Sequence, residues 1–221
     1  MGLLGGWLWL VGGQGWAEDV TPSIPVTPSE TVPAPVTLTG AQPAETVVID
    51  DELPAGATAG GTWEWGTGHV ASGTASHGHP AAKGMQQHSV TLAAPLQIPR
   101  TGELLTSVWL DPADPPRGVM IKFTLETGEE TGVYWEGEEE VFTPGEEEEI
   151  WYYGLLPEYG TWTPLVVTAE DLGIEDTRLS GITFVTYDGQ AWWDRTVVRP
   201  ASAAPVSPSP EGTLNVNGAT P

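Results

Sequence analysis

ITFVTYDGQAWWDRTVV, residues 182–198, is the stretch that most clearly indicates the fold class. Two runs rich in β-branched and aromatic residues flank the turn sequence Tyr-Asp-Gly-Gln at 187–190. Such residues favour strands, and Asp-Gly is a strong signal for a hairpin. The stretch is therefore predicted to form a β-hairpin. Because neighbouring residues of a strand face opposite ways, Trp192 and Trp193 are expected to point one inward and one outward.

Similar short runs continue toward the N-terminus, separated by turns rich in Pro, Gly and Asp. The candidate strands are residues 47–50, 62–65, 88–93, 104–110, 118–125, 132–135, 149–153, 162–167, 181–187 and 191–198. Short strands at this spacing predict an all-β protein, an antiparallel β-sandwich with jelly-roll topology. Alternation in residues 119–125 predicts that Val119, Ile121, Phe123 and Leu125 face its core. A single helical turn is expected at residues 168–173, capped by Thr168.

The chain divides into four parts by composition. Residues 1–17 are apolar and are predicted to be a cleaved secretion signal, although a packing strand would have a similar composition. Residues 18–45 are rich in Pro and Thr and predict an extended linker or arm. Residues 46–199 form the predicted sandwich, and residues 200–221 a Pro/Ser-rich tail with a possible terminal strand at Leu214 and Val216. We expect a secreted or extracellular protein at the cell surface.

The charge balance excludes several classes of partner. The chain has seven Lys and Arg against thirty Asp and Glu, a formal net charge of −23, and no cysteine. Such a surface repels nucleic acid and anionic membranes, and no other segment is long and apolar enough for membrane insertion after signal removal. It suits calcium, polyvalent cations or neutral ligands such as sugars, although solubility alone would also explain it. Without cysteine there is no disulfide and no thiolate chemistry.

A series of short sequence motifs resembles the pattern of a known family. In order they are DDELPAGA (50–57), TWEW (62–65), SHGHPAAKGMQQHSVT (76–91), VWLDPADPP (108–116), GVYW (132–135), GLLPEYGTWTPLVV (154–167) and LSGITFVTYDGQAWWD (179–194). Together they resemble the carbohydrate-binding-module-like, lectin-like jelly-roll domain of bacterial secreted and cell-surface proteins, across about residues 48–198. The resemblance implies a lectin-like sandwich with a non-catalytic role. The sequence departs from that pattern in EGEEEVFTPGEEEEI (136–150), which contains no basic residue, so ligand contacts made by this loop in relatives are not carried over.

Carboxylates at the two ends of the predicted domain suggest a structural calcium ion. Modules of the type that the chain resembles often hold Ca²⁺ between the first strand and the last. Asp50 and Asp51 begin the domain and Asp194 lies near its end, and calcium requires six to eight converging oxygen ligands. The alternative is that Asp50 and Asp51 cap a turn before Pro54, while Asp194 pairs with Arg195 or a backbone amide.

Other patterns of catalytic or metal-binding residues are weak. His77, His79 and His88 have ligand types suited to zinc or nickel, but without a nearby carboxylate they are interpreted as histidines satisfied by backbone groups. The Glu runs are interpreted as a solvated loop. There is no G-x-S-x-G elbow and no phosphate loop, and among so many acids a glycosidase-like pair would arise by chance. The sequence therefore predicts a protein that is not an enzyme.

Aromatic residues are the remaining functional candidates. Sugars bind to flat rings that stack on their C–H faces, while carboxylates and amides take the hydroxyls. The predicted ligand-binding residues are Trp63, Trp65, Trp151, Tyr153, Tyr187 and Trp193. The predicted function is a binding module for a glycan or cell-surface polymer. The alternative is a structural subunit of an extracellular filament or surface layer, which self-associates by donating a strand from its tails.

Overall fold

The structure, a computed structural model, describes residues 45–145 and 148–201. The predicted secretion signal, almost all of the Pro/Thr-rich arm and the possible tail strand lie outside these residues. None of the helices among the described residues is long and apolar enough to cross a membrane.

The described residues contain twelve strands and one short helix. In chain order they are β1 (Thr46–Ile49), β2 (Thr58–Gly61), β3 (Glu64–Gly66), β4 (Ser76–Gly78), β5 (Met85–Gln97), β6 (Gly102–Leu110), β7 (Gly118–Leu125), β8 (Glu130–Glu136), β9 (Glu149–Leu155), β10 (Thr163–Thr168), α1 (Ala169–Leu172), β11 (Arg178–Tyr187) and β12 (Ala191–Pro200). The predicted helical turn is confirmed: the Thr168 side chain accepts a hydrogen bond from the Asp171 N–H, and Gly173 ends the helix in a left-handed conformation.

Two six-stranded sheets pack face to face, which confirms the jelly-roll sandwich. The first sheet has the order β10-β6-β12-β4-β3, with β1 also paired to β12, and the second has the order β2-β5-β11-β7-β8-β9. Antiparallel β1 and β12 place Thr46 opposite Val198, and Arg195 of β12 forms an ion pair with Glu45. The pairing differs from the fully antiparallel prediction at β8 and β9, which are parallel. Two parallel strands cannot be joined by a tight hairpin turn, so β8 and β9 are not a hairpin.

The predicted hairpin at residues 182–198 is wrong, because its two strands belong to different sheets. β11 pairs with β5 and β7, whereas β12 pairs with β1, β4 and β6. Asp188 and Gly189 have the positive φ angles (58° and 60°) of a tight turn. The backbone next to them, however, forms hydrogen bonds with a distant segment: the Gln190 N–H donates to the Asp114 carbonyl at 2.9 Å. A Cβ on Gly189 would lie 2.3 Å from that carbonyl oxygen, so the close approach requires glycine. The turn thus joins the two layers of the sandwich.

The core lies between the inner faces of the two sheets. The alternation predicted for β7 is confirmed, because all four of its inward residues are buried in the main hydrophobic cluster. In β6, where both faces have apolar residues, the inward set is Leu104, Thr106, Val108 and Leu110.

Trp193 belongs to the core, and its prediction as an exposed ligand-binding ring is wrong. Its side chain is 0% exposed, and its ring centroid lies 5.1 Å from that of Phe184 on the opposite sheet. Trp192 points the other way and is partly exposed, so the expected division of the two rings is confirmed. The strand pleat sends residue 193 inward because it lies opposite Val108, an inward residue of β6.

Candidate functional site

The acidic residues that follow β8 fold back onto the outer face of the second sheet. We call residues 137–145 the acidic loop. It is fixed by Glu136, whose Oε2 accepts hydrogen bonds from the N–H groups of Val141 (2.9 Å) and Phe142 (3.2 Å). Phe142 is buried and packs edge-on against Tyr134 and Tyr187, with ring centroids 5.4 and 6.1 Å away. A small second core therefore exists outside the sandwich.

Phe142 contributes to two cavities on this face. The first, about 230 Å³, lies over the middle of the sheet and is lined mainly by apolar residues together with Lys122, Glu148 and Tyr187. The second, about 520 Å³, lies over β8 and β9, and we call it the tyrosine cavity. Its lining residues are Tyr134, Glu136, Gly137, Glu138, Glu140, Phe142, Thr143 and Tyr152.

The tyrosine cavity has a negative electrostatic environment. Burial raises the pKa of the Tyr134 phenol, and the nearby carboxylates of Glu136 and Glu140 and the neighbouring Tyr152 raise it further. The Tyr134 and Tyr152 rings meet edge to face at 5.7 Å. The cavity thus combines flat apolar rings with carboxylate acceptors.

Of the predicted ligand-binding residues, Tyr187 lines a cavity on this face, whereas Trp151 and Tyr153, the two neighbours of Tyr152 on β9, lie on the opposite face of that strand. Trp151 is 55% exposed on β9, and Tyr153 of the same strand is also exposed. The Tyr153 hydroxyl donates to Asp171 Oδ2 at 2.6 Å, and burial, followed by this hydrogen bond, raises the pKa of Tyr153 to about 12. Tyr187 lines the first cavity, with the Arg117 guanidinium 5.6 Å from its ring centroid.

Trp63 and Trp65 form a separate aromatic patch. Their rings stack with centroids 5.7 Å apart and an interplanar angle of 21°, which confirms that they share a face. Trp63 Nε1 donates to the Gly60 carbonyl at 3.0 Å, and Trp65 remains exposed. The Trp63 ring also packs edge-on against the His88 ring, with centroids 4.6 Å apart, so this patch borders a cluster of histidines.

The three predicted backbone-bonded histidines are instead buried together. His77 Nδ1 and His88 Nε2 share a hydrogen bond of 2.9 Å, and only His79 bonds a backbone carbonyl, that of Pro80. The remaining ring nitrogens, His77 Nε2, His79 Nε2 and His88 Nδ1, have no partner among the described residues. Burial lowers the pKa of all three, that of His88 to about 3. No group of three His, Cys, Asp or Glu side chains within residues 45–145 and 148–201 has an arrangement suited to a metal.

The predicted calcium residues surround the segment at residues 71–75, which lies across the first sheet. Asp194, fully buried, accepts the N–H groups of Ala71 (2.6 Å) and Ser72 (3.0 Å) on Oδ2. Asp51 Oδ1 accepts the N–H groups of Thr74 and Ala75, so Asp51 caps this segment and not the expected turn before Pro54. The bonds of Asp194 to backbone amides agree with the alternative interpretation.

Two carboxylate oxygens at this place fit a cation. Asp50 Oδ1 and Asp194 Oδ1 are buried and have no hydrogen-bond partner among the described residues. Burial raises the pKa of Asp194, and the neighbouring charge of Asp50 raises it further. Two close, unpaired carboxylate oxygens are the hard donors that Ca²⁺ prefers, with carbonyls left to supply the remaining ligands.

Sequence reasoning missed the residues that build the tyrosine cavity. Tyr134 and Tyr152 lie opposite each other in the parallel pair β8–β9, a pairing that no local pattern indicates. Alternation carried a partial signal, because Tyr134 stands between the inward residues Val133 and Trp135 and must therefore face outward. No local sequence pattern indicates that the Glu136 side chain binds the backbone of the acidic loop.

The two packed sheets define a jelly-roll β-sandwich, and the chain is similar to solved carbohydrate-binding modules at low identity. The family-22 CBM22-1 xylan-binding domain of Paenibacillus barcinonensis is 14% identical, with 74% of this chain and 100% of that chain covered and a TM-score of 0.43. A family-29 module is 16% identical over 72% and 88%, with a TM-score of 0.41. TmCBM61 in complex with β-1,4-galactotriose is 10% identical over 66% and 90%, with a TM-score of 0.40. No protein-family description matches the chain, and no curated protein matches it.

Proposed function

We propose that this chain is a non-catalytic, secreted or cell-surface module that binds a glycan or surface polymer in the tyrosine cavity, through the rings of Tyr134 and Tyr152. The observation that supports it is the combination of an open cavity of about 520 Å³ with the rings of Tyr134 and the exposed Tyr152 in its lining. Ligand sites of roughly 300–1,000 Å³ with a few placed polar groups are typical of small-molecule and sugar recognition.

Aromatic and acidic residues of the cavity would contact different parts of a bound sugar. The faces of Tyr134 and Tyr152 would stack on the apolar C–H faces of sugar rings. Glu138 and Glu140 would accept hydrogen bonds from hydroxyls. Glu136 Oε2 already accepts hydrogen bonds from two backbone amides, so Glu136 has a structural role and not that of a general acid.

Alanine substitution at β9 tests this proposal. Tyr152→Ala is expected to weaken binding of a responding polysaccharide about fivefold to tenfold, because it removes one of the two stacking rings of the cavity. Binding is measured by tryptophan fluorescence and calorimetry against a panel of soluble polysaccharides. Trp65→Ala is the matched control, since Trp65 is also exposed but lies on the separate aromatic patch. A panel without any response, or a loss only in Trp65→Ala, would count against the proposed site.

We also propose a structural calcium ion at Asp50 and Asp194. Bound there, Ca²⁺ would neutralise two buried carboxylates and hold the strand β1 to the strand β12 and to the segment at residues 71–75. The ion has no part in ligand chemistry in this proposal.

Adding millimolar Ca²⁺ to chelator-treated protein is expected to raise Tm by about 5–10 °C, because ligand that binds only the folded state stabilises it. Asp194→Asn is expected to abolish this rise, while its amide oxygen still accepts from the loop. Asp111→Asn is the matched control, since Asp111 also accepts a backbone amide, that of Ala113, but on an exposed turn. Equal Tm values with calcium and with chelator in the unaltered protein would refute the site.

A further inference from the structure

We propose that the outer edge of β9 is a docking site for residues 212–218 of the same chain, which add a further strand to the second sheet. This inference goes beyond the proposed glycan binding and does not depend on it. It follows from the edge itself, from the composition of the tail at residues 200–221, and from the place where the described chain ends.

β9 is an edge strand that is paired on one side. It lies last in the second sheet, and β8 is its one strand partner within residues 45–145 and 148–201. An edge strand directs N–H and C=O groups away from its sheet, where they can form hydrogen bonds with an added strand. With seven residues, β9 has the length of an ordinary strand and can accept another of similar length.

The other edge strands that the structure describes are protected against such pairing. β1, β2 and β3 have three or four residues each, and β10 contains Pro164. Short length and proline both limit pairing with another segment. β9 has neither protection, and none of its residues after Glu149 is charged. It is therefore the described edge that is best suited to accept a strand.

The side chains of β9 leave apolar surface exposed. Trp151, Tyr153 and Leu155 are all exposed, although they belong to a strand of the sandwich. Trp151 and Tyr153 share one face of the strand, and on that face Tyr153 packs edge-on against the buried Trp135, with ring centroids 5.4 Å apart. An added strand with apolar side chains on the same face would cover part of these rings.

Residues 212–218, GTLNVNG, match this edge in length and in pattern. The segment has seven residues, as β9 has. Leu214 and Val216 alternate with polar residues, so both side chains would lie on one face of a strand. Placed beside β9, that face would pack on Trp151 and Tyr153, and the polar residues between would point the other way.

Charge favours this segment over the β9 edge of a second copy. A contact between two β9 strands would join two chains that each have a formal net charge of −23. Charge of one sign and of this size opposes association. Residues 200–221, by contrast, contain a single charged residue, Glu211, so the tail can approach the edge with little repulsion.

The end of β12 places the tail within reach of β9. Ala201, the last described residue, lines one cleft together with Glu170 of α1. The Tyr153 hydroxyl donates to Asp171 of the same four-residue helix at 2.6 Å, so α1 contacts β9 as well. The linking residues 202–211 contain three prolines and can span roughly 30 Å at about 3.1 Å per residue. The tail can therefore reach the edge of its own domain.

Hydrogen exchange of the full chain, followed by mass spectrometry, tests the docking. The amides of residues 212–218 are expected to exchange at least about tenfold more slowly than those of a free peptide of the same sequence, because docking protects them. Neighbouring N–H groups point to opposite edges of a strand, so one of Asn215→Pro and Val216→Pro removes a hydrogen bond to β9 whichever register is formed. That variant is expected to abolish the protection of the tail and to speed exchange within β9 about tenfold.

Val206→Pro is the matched control. It makes the same change of residue ten positions earlier, in the linking segment, and is expected to leave the exchange of both peptides unchanged. Size-exclusion chromatography with light scattering, over a range of protein concentrations, is expected to show a monomer throughout, because the strand comes from the same chain.

Four outcomes would overturn the inference. Exchange of residues 212–218 at the rate of the free peptide, or full protection in both proline variants of the segment, would show that it does not pair with a strand. Loss of tail protection without any change in β9 would place the tail elsewhere on the domain. A dimer whose protection disappears on dilution would show that the strand comes from a second copy. None of these outcomes bears on the glycan site, which the polysaccharide panel tests separately.

Discussion

Lowering the pH from 7 to 5 is expected to reduce the free energy of unfolding by about 2 kcal/mol through His88, and His77 is expected to add to this loss. Both rings are buried and uncharged in the folded protein, and burial lowers the pKa of His88 to about 3 and that of His77 well below its usual 6.5. The unfolded chain takes up these protons near pH 6.5, whereas the folded chain resists them. The stabilising contribution is therefore fully present above pH 6.5 and is lost as the pH falls toward 3.

Chemical denaturation at pH 7, 6 and 5 measures this dependence. Relief of repulsion among the many carboxylates acts in the opposite direction, so the comparison of variants is decisive. His88→Gln is expected to reduce the pH-dependent loss by about 2 kcal/mol, because the protonation of His88 no longer contributes. His69→Gln is the matched control, since His69 is exposed and stacks on Trp109 outside the cluster. Identical pH profiles for His88→Gln and the unaltered protein would show that the cluster does not control acid stability.

Trp193→Ala is expected to cost about 3–5 kcal/mol of stability, because it removes the ring of a fully buried core residue and leaves a cavity. Trp193→Phe is expected to cost much less. Its smaller ring still packs against Phe184, and it removes the indole N–H, which is buried without an acceptor among the described residues. The free energy of unfolding in denaturant measures both changes.

Trp151→Ala serves as the control for the loss of an indole ring. Trp151 is exposed on the edge strand β9, so its removal is expected to change stability by less than about 0.5 kcal/mol. Equal losses for Trp193→Ala and Trp151→Ala would contradict the assignment of Trp193 to the core.

Local patterns predicted those parts of the fold that depend on neighbouring residues. Alternation placed Phe123 and its partners inward because the pleat alone fixes which side a residue faces. The helical turn after Thr168 was predicted because a cap is formed within three residues. These features need no knowledge of which strand pairs with which.

Features that depend on distant partners were not predicted correctly or not predicted at all. The Asp188-Gly189 turn has the same local signal in a hairpin as in a connection between layers, and only the bonds to Gly84 and Asp114 decide between them. The tyrosine cavity depends on a parallel strand pair and on one glutamate that draws the acidic loop over the sheet. The histidine cluster required β4 and β5 to bring His77 and His88 together from different sheets.

The pairing of β1 with β12 has a mechanical consequence. Thr46 lies opposite Val198, so the chain enters and leaves the sandwich at the same end of one antiparallel pair. A pulling force applied through both flanking segments would load the hydrogen bonds of this pair one after another, as a zipper opens, and not all at once. The domain would therefore yield first by peeling β1 away at low force, while the sheets behind it stay intact.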